Sequence, residues 1–156
     1  MNQVLRFLQI FGLGTWVGGI IFLSFIEAPG VFSILSNGEH AGSIVGYSLT
    51  RLHYIGMIAT VIYLLAGLAL AKSARWLIAP AAILVILMLA LTLVSEYGVR
   101  PRMAALRTQM TSVEATPLES PARTKFDRLH RASVQLEATT LLLGIAALFL
   151  LVSKAP

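Results

Sequence analysis

The stretch Phe7 to Ile26, FLQIFGLGTWVGGIIFLSFI, constrains the fold of this chain more than any other. It holds twenty residues and no charge, enough at ~1.5 Å per residue to cross a hydrocarbon layer about 30 Å thick as a helix. Four glycines interrupt it. Gly14 and Gly18 are four apart and share one helical stripe, while Gly12 and Gly19, seven apart, share another on the roughly opposite side. In water each interior glycine costs about 1 kcal/mol relative to alanine. In lipid the same small residues let neighbouring helices approach closely, so Gly12, Gly14, Gly18 and Gly19 are predicted helix-packing positions on two faces.

The remaining composition agrees. Of 156 residues, 57% are hydrophobic and 12% charged, where a soluble domain carries about 25% charged residues. A soluble chain of this length could not hide that much apolar surface in one core. One polytopic membrane domain over residues 1–156 is the economical reading, with the lipid bilayer as its first partner. Cysteine is absent, which excludes disulfides, thiolate metal sites and cysteine nucleophiles. The net charge of +5 invites a nucleic-acid partner, but the Lys and Arg residues flank hydrophobic runs and suit anionic lipid instead. Nucleic acid is therefore not expected. The first apolar run is too long for a signal-peptide core and no small-x-small site follows it, so it is expected to stay in the mature protein.

Four spans are predicted, at about 4–27, 50–72, 75–97 and 131–153, in an all-α, up-down-up-down four-helix bundle. The first helix is expected to stop near Glu27, where Pro29 and Gly30 follow. Val31 to Leu35 makes a short apolar turn, and helical pattern resumes at Glu39 and runs into the second span. Lys72 to Arg75 leaves room only for a tight turn, making helices two and three antiparallel neighbours. Pro80 suits the first turn of the third helix, and Pro101 is expected to kink or restart it beyond the apolar zone. Ser120-Pro121 is an N-cap and first-turn pair for the fourth helix. Its charge-free run, Ala138 to Ser153, is short for a span, which draws Glu137 into the apolar layer or to its edge.

Both termini then lie on one side, with Arg6, Lys72, Arg75 and Lys154. The other side holds Arg51, Arg100, Arg102, Arg107, Arg123, Lys125, Arg128 and Arg131. Eight cations against four predict the long loops in the cytoplasm and the termini outside.

Alternating helices also bring polar residues to one level. Glu27, His53, Glu96, Arg100, His130 and Glu137 all fall near the same membrane face, and the opposite face has no comparable set. His130 and Glu137 are seven apart, on one helical face about two turns from each other. Each residue also has a structural reading. Glu96 and Arg100, spaced i,i+4, can neutralise each other. Glu27 ends a helix, His53 beside Arg51 and Tyr54 suits an interfacial belt, and His40 lies in a loop-like, solvated region. His130 amid Arg128 and Arg131 suits a surface. Glu137 is the exception, because carboxylates within spans are rare, costly and paired inward, for instance to His53 or an Arg. The candidate ligand site is His53, Glu96, Arg100, His130 and Glu137. His53 and His130 are its metal candidates, as axial ligands to haem b or as ligands to a divalent metal with carboxylates. There is no HxxxH, ExxH or CxxCH, no phosphate loop, no nucleophile elbow and no dinucleotide fingerprint. No catalytic residue is assigned.

Gly12-x-Gly14-Thr15-Trp16-Val17-Gly18-Gly19, Ala28-Pro29-Gly30-Val31-Phe32, Arg51-Leu52-His53 and Phe126-x-x-Leu129-His130-x-x-Ser133 together resemble an uncharacterised bacterial family of four-helix membrane proteins. That family is similar to a mammalian transmembrane protein associated with cisplatin resistance. The resemblance spans nearly the whole chain, implies the four-helix fold and draws attention to His53 and His130. A more distant likeness runs to copper-resistance D membrane domains and to HemJ-type protoporphyrinogen oxidase, which share His-x6-Trp-x-x-Gly in helix one. Trp16 and Gly19 match here, but Gln9 stands at the histidine position.

The leading functional expectation is a non-enzymatic membrane protein that binds a small cation, a metal or an acidic partner at the polar cluster, in transport or stress resistance. A haem-dependent oxidoreductase with His53 and His130 as axial ligands is the second. The third is a structural role, as a homo-oligomer or a subunit of a larger membrane complex packed through one glycine stripe.

Overall fold

The computed structural model describes residues 1–153; Lys154, counted above among the cations of the terminal side, lies outside the described residues. Four helices are long and apolar enough to cross a membrane: α1 (Asn2–Ile34), α2 (Gly38–Ala71), α3 (Pro80–Arg107) and α4 (Pro121–Val152). They make an all-α bundle in which backbones meet around a ring, α1 with α2, α2 with α3, α3 with α4 and α4 with α1. Large apolar side chains such as Phe11, Phe25, Leu65, Leu142 and Phe149 are exposed on the outside of the bundle. Such a surface suits a lipid environment, and four helices of this length and composition are compatible with an integral membrane protein.

Two prolines shape the rods without ending them. Pro29 has no N–H for the carbonyl four residues earlier, and its ring crowds that carbonyl. The chain absorbs the fault in a π-helical turn over Leu23–Glu27, and α1 continues to Ile34 instead of stopping near Glu27. Pro101 is met in the same way by a π-helical turn over Val94–Val99, and α3 continues to Arg107. At the head of α2 the Asn37 carboxamide oxygen accepts from the N–H groups of Glu39 and His40, both at 3.0 Å. The helix therefore starts well before the apolar run and enters it unbroken. Lys72 ends α2 with φ 50, in the left-handed region. The third span opens as a 3-10 turn, Ala74–Ile78, with the α-helix beginning at Pro80. Ser120 occupies the N-cap of α4, although its side chain makes no capping hydrogen bond.

The register of α1 on α2 can be followed pair by pair. Gln9 meets Tyr63, Gly12 meets Ala59, Trp16 meets Gly56 and Gly19 meets Leu52, so numbers rise on one helix as they fall on the other. The two helices are antiparallel. Glycines admit the large side chains that lock this register. A Cβ on Gly56 would overlap the Trp16 indole, one on Gly67 the Trp76 indole, and one on Gly144 the side chains of Val17 and Met88. Trp16, Tyr63, Met88 and Ile20 are essentially inaccessible in the resulting core.

The glycines of helix one divide. Gly12 and Gly19 pack on α2, whereas a Cβ on Gly14 or Gly18 would meet nothing within 4 Å. The predicted packing of Gly14 and Gly18 within the bundle is thus corrected: their stripe faces away from α2, α3 and α4. Gly56→Ala is expected to destabilise the bundle by about 1–3 kcal/mol through overpacking against Trp16. The check is thermal unfolding in detergent, with Gly14→Ala as the paired variant that leaves the midpoint unchanged or higher.

Candidate functional site

The three charge-free runs of α2, α3 and α4 end at one level, and that is where the buried ionisable side chains collect. His53 opens the apolar part of α2, Glu96 closes that of α3, and Glu137 precedes that of α4. The π-helical turn at Val94–Val99 buries Ser95, Glu96 and Val99 together, which turns the Glu96 carboxylate into the bundle. Such turns recur where a helix must aim a functional side chain.

His53 lies between two carboxylates. Its Nδ1 is 2.8 Å from Glu96 Oε2 and its Nε2 is 3.3 Å from Glu137 Oε2. The imidazole is 1% exposed, Glu96 7% and Glu137 13%. On its other oxygen Glu96 accepts a hydrogen bond from Arg100 Nη1 at 2.6 Å, one helical turn further on. Arg100 is 42% exposed and forms the watered end of the row. Glu137–His53–Glu96–Arg100 is thus a continuous chain of contacts from the bundle interior to its polar rim. It also joins α2 to α4, which lie diagonally across the ring.

Charge explains why these four groups are tolerated together. With His53 protonated, two carboxylates, one guanidinium and one imidazolium sum to zero, so in that state the cluster sits at the apolar edge without net charge. Breaking such a set by removing one partner strands a buried charge, and that is what makes it costly. Satisfaction is incomplete at one atom. Glu137 Oε1 is buried and, among the described residues, has no hydrogen-bond partner. A lone carboxylate oxygen out of water is a place where a proton, an ion or an ordered water is needed.

The other sequence candidates lie elsewhere. His130 is exposed, with its ring parallel to Phe126 and the centroids 6.4 Å apart. It does not hydrogen-bond to the cluster. The pairing of His53 with His130 as axial ligands of haem, or as a metal pair, is therefore corrected. His130 is on the outer surface, and both ring nitrogens of His53 are committed to carboxylates, which leaves neither free for iron. Among the described residues no group of three or more His, Cys, Asp or Glu is placed to hold a metal ion. As placed, these side chains do not form a haem or divalent-metal site. Glu27 is half-buried in a separate groove with Arg51, between α1 and α2.

One polar residue of consequence escaped the site reading. Gln9 is 3% exposed, and its Nε2 donates to the Tyr63 carbonyl at 3.1 Å. Noted in the sequence only for the histidine it replaces, it is a hydrogen-bonded link between α1 and α2. A carboxamide inside an apolar run was the available signal, because such a group must be satisfied across helices in lipid.

A bundle of four membrane-length helices with a buried carboxylate–imidazole–carboxylate row at one end defines the class. Within it, the chain belongs to the family described as domain of unknown function (DUF4149), whose family model matches residues 11–112. That match contains His53, Glu96 and Arg100 and ends before α4, the helix that supplies Glu137. No curated protein and no solved structure matches the chain.

Removing the imidazole should be more harmful than removing it together with a carboxylate. His53→Leu is expected to destabilise the bundle by about 3 kcal/mol or more, since Glu96 and Glu137 are left facing each other unscreened. Adding Glu137→Leu should recover part of that loss, and a double-mutant cycle on detergent unfolding midpoints measures the recovery.

Proposed function

We propose that this membrane protein binds a proton, the smallest of the cations considered above, at the Glu137–His53–Glu96 row and relays it along that row. The observation that carries the reading is an imidazole with a carboxylate on each ring nitrogen, next to a buried carboxylate oxygen that has no partner. Imidazole accepts at one nitrogen and releases at the other, which suits it to proton transfer. Ionisable residues at membrane depth belong, as a rule, to ion or proton pathways.

The step balances within the chain's own groups. In the loaded form Glu137 is the neutral acid, its proton shared with His53 Nε2, while Nδ1–H donates to ionised Glu96. Transfer breaks the Glu137 O–H bond as the Nε2–H bond forms, and breaks the Nδ1–H bond as an O–H bond forms on Glu96. One unit of positive charge has then moved from Glu137 to Glu96, with two protons held before and after. Arg100 favours ionised Glu96, so the proton is released readily at the exposed end. Glu137 Oε1 is the acceptor at which the next proton enters, and before a second transfer the imidazole must also exchange its remaining proton from Nε2 to Nδ1.

The test is infrared difference spectroscopy of the full-length protein in lipid during acidification. A carboxylic-acid carbonyl band is expected to grow in the native protein, to vanish in Glu137→Gln and to move in His53→Gln. Spectra in which Glu137→Gln leaves every acid-induced carbonyl band in place would overturn the reading.

A second reading is assembly with another copy of this chain, and the observation favouring it is the open Gly14–Gly18 stripe. Two such stripes brought together would give a close backbone contact of the small-xxx-small kind. Gly14→Leu with Gly18→Leu is expected to lower the assembly size, measured by light scattering in detergent, while the unfolding midpoint stays. An unchanged size removes this reading and leaves the proton site untouched.

A further inference from the structure

Eight Lys and Arg residues lie towards the loop side of the bundle, and the structure sorts them by what they touch. Arg100 is paired with Glu96 and Arg123 with Asp127. Arg51 lies over the Tyr47 ring at 5.0 Å and Arg107 over the Phe126 ring at 5.4 Å. Four cations remain, and among the described residues none of them has a carboxylate within ion-pair distance. Three of the four, Arg102, Lys125 and Arg128, line one groove of about 410 Å³ between the end of α3 and the start of α4.

Among the described residues no carboxylate lines this groove. Gln109 adds a neutral amide, and Leu106 and Leu129 supply apolar surface. Three cations along one groove, without a counter-charge among the described residues that line it, leave it electrostatically incomplete. Its position narrows the missing partner. With the fourth span running from about residue 131, Arg128 lies three residues outside it, about 4.5 Å along the helix axis. That is the depth of the headgroup layer beside the hydrocarbon, where long basic side chains reach back towards phosphates. Cations around an apolar lining match a molecule that has a phosphodiester and acyl chains. The volume suits one glycerophosphate headgroup and is far too small for a nucleic-acid duplex.

We infer that Arg102, Lys125 and Arg128 form a seat for one anionic phospholipid headgroup, with Leu106 and Leu129 against its glycerol and upper acyl carbons. Negative phosphodiester lipids without a positive headgroup amine are selected, because the groove has no carboxylate to receive an amine. The inference stands independently of the proton row, since none of these side chains touches it.

The test counts lipid retained by the full-length protein in native mass spectrometry, after exposure in detergent to dioleoylphosphatidylglycerol or dioleoylphosphatidylcholine. The native protein is expected to retain phosphatidylglycerol over phosphatidylcholine by on the order of tenfold, with the preference falling as salt rises. Arg102→Gln/Lys125→Gln/Arg128→Gln should abolish the preference. Lys72→Gln/Arg75→Gln, on the other side of the bundle, and the charge-conserving Arg102→Lys/Arg128→Lys should keep most of it. All the altered side chains are exposed, and an unchanged unfolding midpoint verifies that each variant folds. Equal retention of both lipids by the native protein overturns the proposal, as does a preference that survives the triple substitution. Displacement of phosphatidylglycerol by an equal concentration of inorganic phosphate, or of a polyglutamate peptide, would make the groove a general anion site and also overturn the lipid assignment.

Discussion

Close approach of helix backbones is the constraint on which the rest of this protein rests. Lipid tails are as apolar as leucine, so no hydrophobic force drives one membrane helix onto another, and contact must come from shape and hydrogen bonds. Gly56 receives Trp16, Gly67 receives Trp76, and Gly144 receives Val17 and Met88. Each fit is between a large rigid group and a missing side chain, and such a fit tolerates little sliding. Gln9, donating across to the Tyr63 carbonyl, fixes α1 on α2 in the same register. Once the axial positions are fixed this tightly, every other residue's height in the membrane is fixed with them.

The polar row depends on that height. His53 is 43 positions from Glu96 and 84 from Glu137, each on a different helix, yet its ring nitrogens lie 2.8 and 3.3 Å from their carboxylates. A shift of one helix by a single turn, about 5.4 Å, would separate them and strand at least one charge. The π-helical turn before Pro101 contributes as well, because it changes which way Glu96 points without ending α3. A proline at the edge of the apolar zone thereby serves the placement of a carboxylate one turn before it.

The two ends of the loop-side face handle charge differently. Towards the bundle axis, acids and bases are matched so that the buried set is neutral. On the outer rim, three cations are left without a matching acid at a depth where lipid phosphates lie. Burial accounts for the contrast: an unpaired charge inside is prohibitive, whereas one at the headgroup layer stays solvated or meets phosphate.

The sequence by itself determined four apolar runs, a tight second turn, and the gathering of ionisable residues towards one face. These follow from local hydropathy and helix geometry, and no contact information is needed to obtain them. It also flagged Glu137, because a carboxylate at the edge of an apolar run is expensive wherever it points. What only the tertiary structure decided is the partner of each group. Glu137 and His130 share a helical face by spacing but lie about 10.5 Å apart along α4, so Glu137 reaches His53 while His130 stays exposed beside Phe126. Likewise two glycine stripes of equal appearance divided, Gly12 and Gly19 to packing and Gly14 and Gly18 to the open side. Helical periodicity states which residues lie together on a face; which face meets a neighbour is set by the fit of large side chains from another helix.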